Sequence, residues 1–135
     1  MQMHVTFPGG ARVDARFRGF EVRTDQPERA GGTGSAPAPF DLFLASLATC
    51  AGYYAQQFCD SRGLGTEGLA LTLEAERDPE SRRLTIRLDL ELPEGFPEKY
   101  RPAIIRAMDQ CAVKKVIDDP PAFEVRTLAA AGVVA

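Results

Sequence analysis

One histidine and three cysteines, with no C-x-x-C pair among them, leave this chain of 135 residues without the clustered ligands that a protein metal site needs. His4 cannot complete a zinc site alone, so neither a metal nor a bound organic cofactor is expected. There is no excess of positive charge either. Sixteen Lys and Arg against 19 Asp and Glu give a net charge of -3, which offers nucleic acid no electrostatic footprint. The longest helix-like apolar stretch, around residues 42–51, falls far short of the roughly 20 residues that span a bilayer, so a membrane is not an expected partner. The opening Met-Gln-Met-His-Val-Thr-Phe has no basic stretch leading into an apolar core, and a cytoplasmic home is expected, where thiols stay reduced. Three cysteines there are not a disulfide framework. Each is either a small apolar filler or a reactive group.

What remains is a composition of 44% apolar and 26% charged residues, that of a globular protein, and a length that suits a single domain over residues 1–135. Residues 2–23 alternate, with Val13, Ala15 and Phe17 against Arg12, Asp14, Arg16 and Arg18, then Phe20 and Val22 after Gly19, and read as short hairpin strands. From Thr24 to Pro39 the glycines and prolines support neither strand nor helix, and a loop of that length is more often functional or mobile than merely connecting. Pro39 and Asp41 suit a first helical turn, and the helix should run to about Arg62, ended by Gly63. Between Leu42 and Ala51 it is apolar or small almost all round, so it must be covered on every side. A homodimer with a twofold interface would cover it.

Leu69, Leu71, Leu73 and Ala75, then Leu84, Ile86, Leu88, Leu90 and Leu92, alternate with polar residues around the turn Arg77–Ser81. They predict two antiparallel strands with one wet face, where Glu74 and Glu76 can pair with Arg83 and Arg87. A second helix is expected from about Pro97, with Ile104, Met108 and Cys111 on one stripe, stopped by Asp118-Asp-Pro-Pro121. Phe123, Val125 and Thr127 suggest a closing strand, and the tail from Leu128 to Ala135 has no polar side chain. The order β-β-β-α-β-β-α-β describes an α+β fold with an antiparallel sheet packed on two helices.

Two cysteines stand in these helices. Cys50 ends the run Asp41-Leu-Phe-Leu-Ala-Ser-Leu-Ala-Thr-Cys50, preceded by Gly31-Gly-Thr-Gly-Ser-Ala-Pro-Ala-Pro-Phe40, and Cys111 opens Cys111-Ala-Val-Lys-Lys-Val-Ile117. These motifs together resemble the OsmC/Ohr family of osmotically inducible and organic hydroperoxide resistance proteins, in its broader OsmC-like branch. The resemblance covers nearly the whole chain. It implies an OsmC-like intertwined homodimer with two active sites at the subunit interface, and a thiol peroxidase chemistry in which Cys50 is the peroxidatic and Cys111 the resolving cysteine. The substrate would be a small organic hydroperoxide and the electron donor a dithiol reductant. Two positions depart from the best-characterised members: Phe40 stands after Pro39 where those carry Glu, with the acid at Asp41, and Ala112 stands where proline commonly follows the second cysteine.

Such chemistry needs a thiolate at Cys50, which attacks a peroxide oxygen and becomes a sulfenic acid for a second thiol to condense with. Cys50 lies mid-helix, so it is not expected to draw on the N-terminal dipole that lowers many reactive thiols, and a cation is expected to ionise it. Arg23, Arg18 and Arg29 flank or lie in the glycine-rich loop, and Asp41 could orient whichever is used. Cys59 falls about two and a half turns beyond Cys50, on roughly the opposite face, and reads as an apolar filler. Two other functions fit the same residues: a non-catalytic dimeric module that binds a small apolar or electrophilic molecule or senses redox state, and a purely structural stress protein.

Overall fold

Alternation in the first residues builds a three-stranded antiparallel sheet of β1 (His4–Gly9), β2 (Arg12–Phe17) and β3 (Phe20–Val22), in the order β1-β2-β3. The computed structural model describes residues 1–129. Arg18 and Gly19, both at positive φ (49° and 81°), make the two-residue turn between β2 and β3, a backbone whose twist matches that of the strands. The register sets Val5 opposite Ala15, Ala15 opposite Val22 and Phe17 opposite Phe20, so one face of this sheet is apolar. Within the single chain that face is poorly covered: Val5 is 50% and Phe20 65% exposed.

The glycine-rich segment after β3 is a built loop, organised by one carboxylate. Asp25 is buried and accepts hydrogen bonds from the backbone N–H of Gln26 (2.8 Å), Thr33 (3.3 Å) and Ser35 (3.0 Å) and from the hydroxyls of Thr33 (2.8 Å) and Ser35 (2.6 Å). The side-chain and backbone donors of Ser35, with those of Gln26 and Thr33, outweigh desolvation and hold its carboxyl well below the usual carboxylate range. Gly32 is required here, because a Cβ would lie 1.9 Å from the Gln26 carbonyl oxygen. Asp14 ties the loop to the sheet by accepting the Thr24 N–H (3.3 Å) while paired with Arg12 (3.0 Å).

Helix α1 (Pro39–Ser61) begins as expected, with Pro39 in the first turn and the Asp41 carboxylate accepting the Ala38 N–H at 3.0 Å. Gly63, at φ 64°, follows its end. One face, Leu47, Ala51, Ala55, Phe58 and Cys59, is buried against a hairpin of β4 (Ala70–Arg77) and β5 (Leu84–Glu91) and against α2 (Arg101–Met108), whose Ile104 and Met108 complete the core. The hairpin register sets Glu74 opposite Arg87, and the two side chains pair across the wet face at 3.0 Å.

Two expectations for the C-terminal third need correcting. The second helix is not continuous: α2 ends at Met108, a tight turn passes through Asp109 and Gln110, and α3 (Ala112–Asp118) starts afresh after Cys111. Successive i to i−3 bonds, Gln110 N–H to Ala107 and Cys111 N–H to Met108, close the turn, and Lys114 and Lys115 reach back to Asp109 and Gln110. No closing strand forms over Phe123, Val125 and Thr127. Phe123 and Val125 are 85% and 96% exposed, and among the described residues no strand pairs with this segment. Of the tail from Leu128 to Ala135, residues 130–135 lie outside the described residues.

Candidate active site

The break in the second helix decides the surroundings of Cys50. Cys111 occupies the N-cap position of α3 in a non-helical conformation (φ -46°, ψ 118°), and no side chain caps that helix. The first N–H groups of a helix have no partner inside it. Those of Ala112 and Val113 lie beside the thiol of Cys50, which comes from the middle of α1 and has the Cys111 side chain as its other polar neighbour. Both cysteines are reduced; Cys50 is half-buried and Cys111 is 2% exposed.

The two thiols are shifted in opposite directions. Burial pushes the Cys50 thiol up, but the Val113 N–H, the Cys111 side chain and the Ala112 N–H together outweigh it and leave Cys50 below the ordinary thiol range. Cys111 goes up: burial dominates, its neighbour Cys50 adds to the rise, and the N–H groups of Lys114 and Val113 offset only part of it. The arrangement makes Cys50 the more acidic thiol of the pair. Cys59, in the core, is raised by burial and by Asp60, with Arg62 opposing.

Cys50 stays far from the start of its own helix, as expected, and lies instead beside the start of α3. Ala112 and Val113 escaped the sequence reading because no Gly or Pro marks a break near Asp109-Gln110, and the apolar period runs through it. The remaining candidates are placed elsewhere in the chain. Asp41 caps its own helix, Arg23 faces Glu21 at 3.6 Å, Arg18 sits in the β2–β3 turn and Arg29 in the 3-10 turn Glu28–Ala30.

Cys111 also lines an apolar cleft of about 380 Å³, walled by Leu47 and Ala51 of α1, Leu88 of β5 and Met108 of α2. Asp109, Lys114 and Asp118 supply its charged groups; Cys50 is not part of the lining. Among the described residues no group of three or more His, Cys, Asp or Glu could hold a metal ion, and no helix is long and apolar enough to cross a membrane.

The family model for OsmC-like proteins matches residues 32–126, from the glycine-rich loop through both Cys50 and Cys111. Several solved structures share the fold. A Psychrobacter arcticus 273-4 protein described as an osmotic stress induced and detoxification response protein superposes with a TM-score of 0.72 at 22% identity, over 85% of this chain and 86% of that one. The OsmC like protein of Mycoplasma pneumoniae gives 0.70 at 17% identity, over 88% and 87% of the two chains. An organic hydroperoxide resistance protein of Elizabethkingia anophelis gives 0.63 at 17% identity, over 87% of each. A search of curated proteins finds no match.

Proposed function

The chain belongs to the OsmC-like protein family, and from that premise we propose that it is a cysteine-based peroxidase of small organic hydroperoxides with a cytoplasmic, stress-protective role. The observation that carries this reading is that the packing of α1 on α3 brings Cys50 and Cys111, far apart in the sequence, together as neighbouring reduced thiols. In the proposed cycle the Cys50 thiolate attacks the terminal peroxide oxygen, the O–O bond breaks, and the alkoxide leaves with a proton as the alcohol. The sulfenic acid on Cys50 then condenses with the Cys111 thiol, releasing water and forming a Cys50–Cys111 disulfide that a dithiol reduces.

Thiol titration before and after one equivalent of an organic hydroperoxide tests this reading. Loss of two thiols per chain, with a Cys50–Cys111 disulfide on peptide mapping and Cys59 free, is the expected result; no loss would leave a binding module. The same proposal includes a homodimer. Its support is the exposed apolar face of the β1–β3 sheet and the exposed Phe40 and Tyr53 on α1. Arg23, or else Arg18 or Arg29, would then approach Cys50 across the interface. Sedimentation at micromolar concentration should find no stable folded monomer, and a folded monomer would overturn this part of the reading.

A further inference from the structure

We propose that the groove between the C-terminal half of α1 and α2 is a binding site for a small phosphate monoester with an apolar body, held by Arg62 and Arg106, one guanidinium from each side of the groove. A volume of about 570 Å³ puts it within the size range of small-molecule sites. It is separate from the thiol pair. Neither Cys50 nor Cys111 lines it, and Arg62, at the end of α1, stands 12 residues beyond Cys50, about 18 Å along the helix axis. A ligand held there is bound independently of the peroxidase chemistry proposed above.

Charge points to an anion. The lining carries two arginines and no carboxylate, in a chain whose net charge is -3. The acids nearest in sequence are turned to other partners: Asp109, three residues past Arg106, pairs with Lys114, and Glu98 pairs with Arg101 at 2.7 Å. Asp60 stands two residues before Arg62, a spacing that puts the two on different faces of a helix. Among the described residues neither Arg62 nor Arg106 has a carboxylate partner. Arg62 is also already positioned. Its guanidinium stacks 3.7 Å over the Phe58 ring, and Nη1 donates to the Ser61 hydroxyl (3.1 Å) and the Phe58 carbonyl (3.4 Å). One nitrogen is thus engaged at the end of α1, while Nε and Nη2 meet no acceptor among the described residues and keep their donors for a ligand.

Two guanidiniums from different helix ends select among anions. A planar carboxylate is satisfied by a single bidentate fork, whereas a phosphate monoester has three terminal oxygens and close to two charges, enough to engage both arginines. Tyr54, Gln57 and Ser61 bring further hydrogen-bonding groups of α1 to the same lining. The rest of it is apolar or small, Phe58 with Ala103 and Ala107, and gives the non-phosphate part of a ligand a surface to cover. Inorganic phosphate leaves that surface wet, so an ester with an apolar body should bind more tightly than the free ion.

Calorimetric titration of the reduced full chain with phenyl phosphate tests the site with no peroxide present, so failure of the peroxidase reading would leave its result untouched. Phenyl phosphate should bind saturably, one per chain, and more tightly than inorganic phosphate or benzoate. Arg106→Gln, at an exposed position that the fold should tolerate, should weaken binding roughly tenfold or more, and Arg62→Lys, which keeps the charge and loses the planar fork, should weaken it by a similar factor. No saturable binding, equal binding of the three anions, or unchanged affinity in either variant would each overturn the proposal. So would tighter binding of a phosphotyrosine peptide than of phenyl phosphate, which would make a protein the occupant, or conversion of a dimer to monomers by Arg106→Gln, which would show that a second copy covers the groove.

Discussion

Two stretches of the same helix, around Cys50 and around Cys59, give a cysteine opposite chemistry. Near its C-terminal end α1 packs Cys59 among Ala55, Phe58, Phe96 and Ile104, with Arg62 stacked 3.7 Å over the Phe58 ring, and the thiol there meets no donor that would stabilise a charge. Near its middle the helix presents Cys50 to the start of α3, where uncapped N–H groups supply what burial removes. Burial alone makes a thiol inert. Partial burial against oriented backbone donors makes it acidic, and the difference lies in the neighbouring helix, since both cysteines sit in the same kind of backbone.

The comparison can be broken most decisively by exchanging the thiols for hydroxyls. Cys50→Ser should abolish peroxide consumption. Cys111→Ser should still consume one equivalent and accumulate a sulfenic acid, detected by a dimedone-type trap, without turning over. Equal loss of the first equivalent in both variants would show that the roles are wrongly assigned.

A smaller effect tests the backbone donors. Ala112→Pro removes one N–H from Cys50, and the preceding Cys111 already has the extended conformation that proline demands, in the first turn where proline is tolerated. The Cys50 titration midpoint should move up, so the alkylation rate near neutral pH falls while the rate at high pH is kept. The sign follows from the folded protein: wild-type Cys50 is depressed, so its thiolate appears at lower pH than that of an ordinary thiol, and losing a donor delays it. An unchanged profile in the variant would remove the Ala112 N–H from the explanation.

The smallest effect belongs to Cys59. Cys59→Ala should cost about 1 kcal/mol of stability, read as a shift in the denaturant midpoint, and leave peroxide consumption intact. In the native wild type, Cys59 should resist alkylation until the chain unfolds, whereas Cys50 reacts first. A Cys59 that competes with Cys50 for the alkylating agent would erase the contrast between the two ends of α1.

Much of this arrangement was legible in the residues. Pro39, Asp41 and Gly63 bracket α1 through local chemistry, and the leucines alternating from Leu69 and from Leu84 define β4 and β5 and bring Glu74 to Arg87. The opposite placement of Cys50 and Cys59 follows from helical period alone. The Asp25 loop was only half legible. Its glycines and prolines mark a loop, but the burial of one aspartate under five hydrogen-bond donors depends on residues from Gln26 to Ser35 folding back together. The predicted closing strand at Phe123–Thr127 carries the right alternation, yet a strand exists only where another edge accepts its hydrogen bonds.

By itself, then, the order of residues determined the element order up to the second helix, the alternation of the β4–β5 strands and the faces of α1, because propensity, caps and period act within a few residues of one another. Tertiary structure decided the break at Asp109-Gln110, the N-cap position of Cys111 and the placing of the start of α3 beside Cys50. Those features follow from burying Ile104, Met108 and Cys111 against α1, a contact between segments far apart in the chain. The energetic return of that packing outweighs the local preference of an unbroken apolar stripe to continue as helix.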